Sequence, residues 1–202
     1  SSVTMITKDE KNECNTKYAQ GGISTVWDKT VDSFQQHIED TLLAGDGMCD
    51  EAIVKMVVKS APNRLQELIN WGTNFDKKND GTYSLGREGG HSQDRILHHK
   101  DITGAEIERA LIEQVEAQKN IIFLTHHYAI DLITEHQVKK KLINRKEKIT
   151  CFGAYVLDEK KNIVKTFSAK VTMLATGGNG QVYSTTTNPV VATGDGIAMA
   201  YR

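Results

Sequence analysis

Three short segments of the sequence combine glycine with polar residues in a pattern that could hold a cofactor. Ala19–Gly22 ends in adjacent glycines, Thr176–Gly178 places a glycine pair after an apolar run, and Gly194–Gly196 sets an aspartate between two glycines. Glycine lacks a Cβ, so its backbone can approach a ligand closely. Free N–H groups at the start of a helix can receive a polyphosphate or a cofactor ring. Each motif alone is a weak signal, and the sequence contains no complete GxGxxG motif or P-loop.

A fourth segment, Arg87–Ser92, carries a carboxylate that could recognise a substrate. Glu88 beside a bound molecule would attract an ammonium group, and a charge-assisted hydrogen bond is about twice as strong as a neutral one. Taken alone, however, Glu88 is more often an exposed loop acid. Arg87 could hold the Glu88 carboxylate in place or lie in solvent, and the sequence favours neither.

The histidines of the same polar stretch raise the question of a metal or an acid–base role. They are His91, His98 and His99, and no further ligands stand at the spacing that a zinc site requires. We therefore predict ordinary hydrogen-bonding roles for these histidines and no metal site.

The composition is that of a soluble globular protein of one domain. Of 202 residues, 39% are apolar and 25% are charged, and the formal net charge of -1 gives no general attraction to nucleic acid or to an anionic membrane. A basic run, Lys139–Lys141 with Arg145 and Lys146, has no interleaved aromatic residues. This run is therefore better explained as a solvated connection than as a nucleic-acid patch. We predict neither nucleic acid nor a membrane as a partner.

The cysteines and the apolar runs predict a cytoplasmic protein. Cys14, Cys49 and Cys151 are few, odd in number and far apart, which argues against a disulfide framework and fits a reducing compartment. No apolar run approaches the roughly 20 residues of a membrane helix. We expect no signal peptide, because the first apolar stretch is only Val3–Ile6.

The elements that must position the four segments predict an α/β fold. Strand-like composition or alternation is found in the runs Val3–Thr7, Ile121–Leu124, Tyr128–Ile133, Cys151–Leu157, Ile163–Ala169 and Val171–Ala175. The last run is almost continuously apolar and predicts a buried parallel strand. Ligands of open α/β sheets lie beyond the carboxyl ends of such strands, where Thr176–Gly178 stands here.

Helical spacing of apolar residues predicts three helices before residue 73. Their start and stop signals are Gly45 after the first, Asp50 as the cap of the second, Pro62 in the first turn of the third and Gly72 past its end. Residues 73–103 are polar and glycine-rich, and a loop of this length is usually functional or disordered. Thr103 and Glu106 form a capping-box pattern that opens a fourth helix, and a further helix begins at Gly194–Gly196.

Taken together and in their order, the motifs resemble those of the flavoprotein family of fumarate reductase, succinate dehydrogenase and L-aspartate oxidase. Asn15–Ile23 resembles the segment of that family that runs past the flavin. Met173–Gly178, followed by Thr186–Pro189 and Gly194–Ala200, resembles its second flavin-contacting region. The resemblance covers nearly the whole chain. It implies a partial FAD-binding Rossmann-like domain of the glutathione-reductase-2 type, with inserted helices and additional β-strands.

The resemblance implies the following flavin contacts: Lys8, Asn15, Thr16, Lys17, Tyr18, Ala19, Gln20, Gly21, Gly22, Ala129, Thr176, Gly177, Gly178 and Asp195. Lys8 ends the opening strand, where a dinucleotide fold meets the adenosine ribose; an acid is usual there, but L-aspartate oxidases resemble this chain in having a lysine nearby. Ala129 could pass its backbone near the adenine. Asp195 could contact the flavin, cap the helix that it begins, or do both.

Two positions distinguish among the members of the family. Asn15 stands where succinate dehydrogenases carry the histidine that is covalently linked to the flavin, so FAD is expected to be held non-covalently. Arg87–Ser92 is similar to the L-aspartate oxidase loop whose glutamate recognises the substrate, and dicarboxylate dehydrogenases carry an uncharged residue in place of Glu88. L-aspartate differs from succinate by one ammonium group, which a carboxylate attracts.

The implied activity is FAD-dependent oxidation of L-aspartate to iminoaspartate, with oxygen or fumarate as electron acceptor, in de novo NAD biosynthesis through quinolinate. Quinolinate synthase is a candidate partner. The alternative is the flavoprotein subunit of a fumarate reductase or succinate dehydrogenase. Residues 1–202 are expected to be an incomplete FAD-binding domain, without the family's first strand and GxGxxG loop and without its C-terminal capping domain. The isolated chain is therefore expected to be inactive.

Overall fold

The computed structural model describes residues 1–139 and 149–202 and separates the chain into two compact units. Unit 1 comprises Ser1–Asn15 and Glu116–Arg202, and unit 2 comprises Thr16–Val115. Of the predicted basic connection, Lys140, Lys141, Arg145 and Lys146 lie outside the described residues.

Helices and strands are interspersed along the chain and include a parallel strand pair, which confirms the predicted α/β class. In chain order they are β1 (Val3–Ile6), β2 (Ile23–Ser24), α1 (Phe34–Ala44), α2 (Glu51–Asn70), β3 (Leu85–Gly86), β4 (Ile96–Leu97), α3 (Thr103–Glu116), β5 (Ile121–Leu124), β6 (His127–Thr134), α4 (Glu135–Lys139), β7 (Cys151–Asp158), β8 (Ile163–Ser168) and α5 (Asp195–Tyr201). None of the helices in the described ranges combines the length and the apolar composition that a membrane span needs.

Unit 1 contains a parallel strand pair and an antiparallel sheet. β1 pairs with β5, with Val3 opposite Ile121, and β6, β7 and β8 form a three-stranded meander. Val156 on the central strand of the meander is fully buried. Gly153 has a φ of 137°, and a Cβ at this position would lie 1.8 Å from the carbonyl oxygen of Phe167. Only glycine therefore allows β7 to approach β8 this closely.

In unit 2, α2 packs against a small antiparallel sheet. The sheet has the order β2-β4-β3, and its core contains Leu65 of α2, Phe75 and Leu97 of β4. Asp50 caps α2 as predicted, because its carboxylate accepts hydrogen bonds from the N–H groups of the second and third residues of the helix. The region 73–103, predicted as an irregular loop, contains β3 and β4 and therefore contributes two of the three strands.

The prediction of separate second and third helices is wrong. α2 continues without a break from Glu51 to Asn70 and contains Pro62 in its interior. Proline removes one helical hydrogen bond, but its fixed φ is close to the helical value. Val58 and Leu65, on either side of Pro62, are both buried. The burial of one continuous apolar face therefore outweighs the local helix-breaking signal.

The capping box predicted at the start of α3 is also wrong. The hydroxyl of Thr103 accepts a hydrogen bond from the N–H of His99. The carboxylate of Glu106 accepts hydrogen bonds from Asn74 and Arg109 instead of from the N–H at the start of the helix. Both side chains thus hold the preceding loop, and Asn74 and Arg109 give Glu106 partners that the spacing pattern could not reveal.

The buried strand predicted at Val171–Ala175 is not formed. This segment has no strand pairing among the described residues, and Val171 and Met173 are 81% and 83% exposed. A continuous apolar run forms a buried strand only where other strands flank it and layers cover both faces. Among the described strands of unit 1, β1 pairs only with β5, so no parallel strand lies beside Val171–Ala175.

Candidate functional site

Glu88 and the first of the paired glycines lie side by side in unit 2. A Cβ added at Gly21 would lie 3.2 Å from Oε1 of Glu88, so the carboxylate lies against glycine backbone. The sheet produces this arrangement, because β2 starts at Ile23 and β3 ends at Gly86, and both strands pair with β4. The segment predicted to contact a flavin and the residue predicted to recognise a substrate are therefore neighbours within one unit.

The Glu88 side chain is exposed and has neither a hydrogen bond nor an ion pair within the part of the chain that the structure describes. Arg87 does not hold it. The guanidinium of Arg87 is 59% exposed, lies 3.3 Å from Oδ1 of Asp94 and donates to the carbonyl oxygen of Ser92 over 3.4 Å. Of the two roles left open for Arg87, the structure shows the solvent-exposed one. The negative charge of Glu88 is thus available to a cation from outside the chain.

The segment before the paired glycines is fixed by the start of α3. Thr16–Tyr18 forms a single 3-10 turn, and the carbonyl oxygen of Ala19 accepts a 2.9 Å hydrogen bond from the N–H of Gly104. A Cβ at Gly104 would lie 1.8 Å from the carbonyl oxygen of Thr16, so this helix position requires glycine. The sequence reasoning missed Gly104. A signal existed, because a glycine near the start of a helix costs about 1 kcal/mol relative to alanine and therefore often has a packing reason.

A buried ionic network under the Arg87–Ser92 loop was also missed. Arg95 is fully buried, and its Nε and Nη2 each donate to Asp32 over 2.8 Å. Its Nη1 donates to Oδ2 of Asp40 over 2.5 Å, and the same oxygen accepts hydrogen bonds from the N–H and the hydroxyl of Ser92 at 2.9 and 2.8 Å. Although burial raises the pKa of Asp40, the hydrogen bonds from Ser92 and Arg95 lower it overall to about 2. Asp40 is therefore ionised at physiological pH.

Two histidines lie beside this network. His91 Nδ1 is 3.2 Å from Nη1 of Arg95, and the rings of His37 and His91 meet edge to face at 5.6 Å. Burial lowers the pKa of His37, whose Nδ1 has no hydrogen-bond partner among the described residues. A cleft of about 270 Å³ lies between α1 and the loop, and its lining includes His37, His91, Gly89 and Gly90.

The other two histidines of the polar stretch also have hydrogen-bonding roles. His98 and His99 approach Asp76 at 3.2 and 3.7 Å, and His99 Nδ1 lies 2.7 Å from the carbonyl oxygen of Asn74. Within the ranges that the structure covers, no three histidine, cysteine or acidic side chains converge as a metal site would require.

In unit 1 the structure brings Lys8 and Asp195 together, although they are 187 positions apart. Lys8 Nζ lies 2.5 Å from Oδ2 of Asp195 and 2.5 Å from the hydroxyl oxygen of Thr193. The hydroxyl of Tyr128 donates to Oδ1 of Asp195 over 3.1 Å. Burial raises the pKa of Asp195, but the hydrogen bonds from Lys8 and Thr193 outweigh it, so the pKa is lowered. The Asp195 carboxylate does not cap α5, so the capping alternative for this residue is wrong.

The two glycine segments of unit 1 also meet. The N–H of Gly194 donates to the carbonyl oxygen of Gly178 over 3.2 Å, and a Cβ at Gly196 would lie 1.8 Å from Oγ1 of Thr176. Apart from these glycines and their chain neighbours, no heavy atom of the described residues lies within 4 Å of the Cβ positions of Gly177 and Gly178. This open backbone is a surface that a flat ligand can approach closely.

The other residues predicted to contact the flavin do not form a cluster of their own. Ala129 lies in β6, where it pairs with Val156 next to a β-bulge and follows Tyr128 of the Lys8–Asp195 cluster. Asn15 is exposed and is the last residue of the first segment of unit 1. Gly22 packs against the carbonyl oxygen of Leu97 in unit 2. The roles of all these residues toward a cofactor stay predictions.

Comparison with known proteins links this geometry to a family. The family model described as the FAD binding domain matches residues 1–202. The chain is 49% identical over 200 residues to the chloroplastic L-aspartate oxidase of Arabidopsis thaliana, covering 99% of this chain and 29% of that protein. It is 44% identical over 202 residues to L-aspartate oxidase 1 of Ralstonia nicotianae, covering 99% of this chain and 37% of that protein. The chain thus spans about a third of the length of these curated relatives.

Solved structures show the same fold at lower identity. E. coli quinol fumarate reductase FrdA has a TM-score of 0.85 at 26% identity, over 99% of this chain and 32% of its own. Mycobacterium smegmatis Sdh1 has a TM-score of 0.82 at 28% identity, over 98% of this chain and 33% of its own.

Proposed function

Because this chain belongs to the FAD-binding domain family, we propose that the whole protein that contains it is a flavin-dependent L-aspartate oxidase. The observation that carries the proposal is the Glu88 carboxylate, which lies exposed against Gly21 with no cationic partner within the described residues. The reaction would convert L-aspartate to iminoaspartate, with oxygen or fumarate as the final electron acceptor. FAD, when bound, supplies the hydride acceptor for the substrate Cα.

The residues of the chain fit a flavin cofactor. In unit 1 the backbone at Gly177 and Gly178 is open to an approaching ring. Lys8 and Asp195 present polar groups, and both are held by hydrogen bonds. In unit 2 the turn Thr16–Tyr18 and the following residues to Gly22 are fixed by backbone contacts to α3 and β4. Asn15 has a side-chain amide, which is not a nucleophile, so we propose that FAD is held non-covalently.

Substrate selection would follow from the charge of Glu88. A bound L-aspartate would place its ammonium group at the carboxylate and form a charge-assisted hydrogen bond, which is about twice as strong as a neutral one. A bound dicarboxylate without the ammonium group would displace water from the Glu88 carboxylate without replacing its hydrogen bonds. This desolvation is costly, so such a substrate would be disfavoured.

The relatives support the oxidase over its nearest alternative. Curated proteins named L-aspartate oxidase are 42–49% identical to the chain, whereas the fumarate reductase and Sdh1 structures are 26% and 28% identical. A fumarate reductase or succinate dehydrogenase flavoprotein is the second candidate, and the similar fold favours it. A role in NAD biosynthesis follows from the oxidase proposal. Quinolinate synthase as a partner and the cytoplasm as the location stay predictions from the sequence.

The decisive experiment is the variant Glu88→Gln in the full-length protein. Loss of one charged hydrogen-bond partner costs about 1.5–3 kcal/mol, so we expect kcat/KM for L-aspartate to fall roughly 10- to 100-fold. The kinetics of fumarate reduction by the chemically reduced enzyme should change less than about threefold.

Asp94→Asn is the matched control, because Asp94 is also an exposed acid of the same region. It should leave both reactions unchanged. An equal loss of both reactions in the Glu88→Gln variant would remove Glu88 from substrate selection. A wild-type protein that binds FAD but shows no flavin reduction by L-aspartate would refute the oxidase itself.

A further inference from the structure

We infer that Asp40 is a positioning residue for substrate selection, because it anchors the Arg87–Ser92 loop through Ser92 and thereby sets the place of the Glu88 carboxylate beside Gly21. The inference rests on the proposed function of Glu88. It concerns a side chain on α1 that contacts neither Glu88 nor Gly21 in any described hydrogen bond or ion pair.

The loop makes little apolar contact with the rest of the described residues. A cleft of about 270 Å³ lies between α1 and the loop, and Gly89 and Gly90 belong to its lining. Among the described residues, apart from Gly89 and its chain neighbours, no heavy atom lies within 4 Å of the Cβ position of Gly89, and the nearest such atom to that of Gly90 is the Cβ of Ala44 at 3.4 Å. Residues from Arg87 to Gly90 are all exposed. The conformation of the loop therefore depends on polar contacts at its ends.

Two polar contacts at the C-terminal end of the loop share one carboxylate oxygen. Oδ2 of Asp40 accepts from the N–H and the hydroxyl of Ser92, at 2.9 and 2.8 Å. One residue earlier, the N–H of His91 donates to the carbonyl oxygen of Glu88 over 3.2 Å. The turn from Glu88 to His91 is thus closed internally and attached to α1 through Ser92. A displacement of Ser92 would move Glu88 with it.

Asp40 is itself held in place by its ion pair with Arg95. Arg95 is fully buried and donates through Nη1 to Asp40, while its other two nitrogens bind Asp32. A charged pair removed from solvent favours one geometry strongly, because an unpaired buried charge is costly. Nη1 of Arg95 also lies 3.2 Å from His91 Nδ1, so the guanidinium contacts the loop directly as well.

The test compares two variants of the full-length protein with a control. Asp40→Asn keeps the size of the side chain but removes the charge that holds Arg95 and Ser92. Ser92→Ala removes the hydroxyl contact and keeps the backbone one. Glu39→Gln is the matched control, because the neighbouring Glu39 on α1 is exposed and bonds only to Gln35 in the described contacts.

We expect Asp40→Asn to raise KM for L-aspartate about tenfold and Ser92→Ala about threefold, with kcat changed less than twofold. KM and kcat of fumarate reduction and the dissociation constant of FAD should stay within about twofold of wild type. Amide hydrogen exchange at residues 88–91 should be faster in both variants and unchanged in the Glu39→Gln control. A merely structural role would lower both reactions together.

Two results would overturn the inference. One is faster exchange of the loop without a rise in KM for L-aspartate, since the loop would then move without affecting substrate selection. The other is unchanged exchange in Asp40→Asn, since Asp40 would then not anchor the loop. Absence of L-aspartate turnover in the wild-type protein would instead refute the proposed function, and the exchange data would still decide whether Asp40 holds the loop.

Discussion

The Glu106 carboxylate offers a quantitative test of how α3 is attached to the preceding loop. Its side chain is 9% exposed and accepts hydrogen bonds from the N–H and side-chain amide of Asn74 and from Nε and Nη2 of Arg109. The hydrogen bonds from Arg109 are the main cause that lowers the pKa of Glu106 from 4.5 to about 2. The substitution Glu106→Gln removes the charge and keeps an oxygen acceptor for Asn74.

The magnitude follows from the pKa. A lowering from 4.5 to about 2 corresponds to at most about 3 kcal/mol of stabilisation of the folded state. The Arg109 side chain is 40% exposed, so solvent screens its interaction with Glu106. We therefore expect Glu106→Gln to lower the free energy of unfolding by about 2 kcal/mol at pH 7.

The same pKa sets the pH dependence. A carboxyl whose pKa is lowered by folding stabilises the folded state above its unfolded pKa, and this contribution is lost as the pH falls toward the folded pKa. The difference between wild type and Glu106→Gln should therefore be full above about pH 5 and shrink steadily toward pH 2. The unfolding of unit 2 can be followed by fluorescence, because both tryptophans of the chain, Trp27 and Trp71, belong to it.

Urea unfolding at pH 7, 4 and 3 would measure this difference. Glu113→Gln is the control, because Glu113 pairs with the same arginine but is 63% exposed. It should cost less than about 0.5 kcal/mol. A stability difference for Glu106→Gln that is the same at pH 7 and pH 3 would refute the assignment of the stabilisation to the ionised carboxylate.

Three further substitutions test other parts of the fold. Asp32→Asn leaves the buried Arg95 with one carboxylate partner and should lower the urea stability of unit 2 by about 3 kcal/mol; a loss below 1 kcal/mol would contradict this. Gly153→Ala places a Cβ against the carbonyl oxygen of Phe167 at a φ of 137°. It should destabilise the β6–β8 sheet by about 2 kcal/mol or more, seen as a lower midpoint of unfolding by circular dichroism. Pro62→Ala restores a helical hydrogen bond in α2 and should stabilise unit 2 by about 1 kcal/mol; destabilisation would mean that packing of the proline ring matters more.

Sequence patterns correctly predicted those helices and strands that are stabilised by residues close to them in the sequence. Asp50 caps α2 because its two partners are the N–H groups of Ala52 and Ile53, only two and three residues further along the chain. The composition of β5 to β8 likewise predicted these strands. The predictions failed where contacts with residues distant in the sequence determine whether a helix or strand forms. Pro62 stays within a helix because Val58 and Leu65 both reach the core, and Val171–Ala175 stays outside a sheet because no described strand flanks it.

In the candidate site, too, local motifs revealed some residues, and contacts between distant residues determine the rest. The motifs led to Gly21 and Glu88 separately, and only the pairing of β2 and β3 with β4 explains why they are neighbours. Arg95 could not be found from spacing, since its partners Asp32 and Asp40 precede it by 63 and 55 positions. Charged residues of such a network look like ordinary surface residues in the sequence.

The parallel pairing of β1 with β5 has a consequence for how the chain folds during synthesis. Val3 leaves the ribosome long before Ile121, its partner across the sheet. At a typical translation rate the interval is on the order of ten seconds. Unit 2 is continuous in sequence and can acquire its core within this time, whereas β1 waits with an unpaired edge. The nascent β1 strand therefore stays exposed until β5 has been made, and a slow stretch of codons between the two strands would lengthen this exposure.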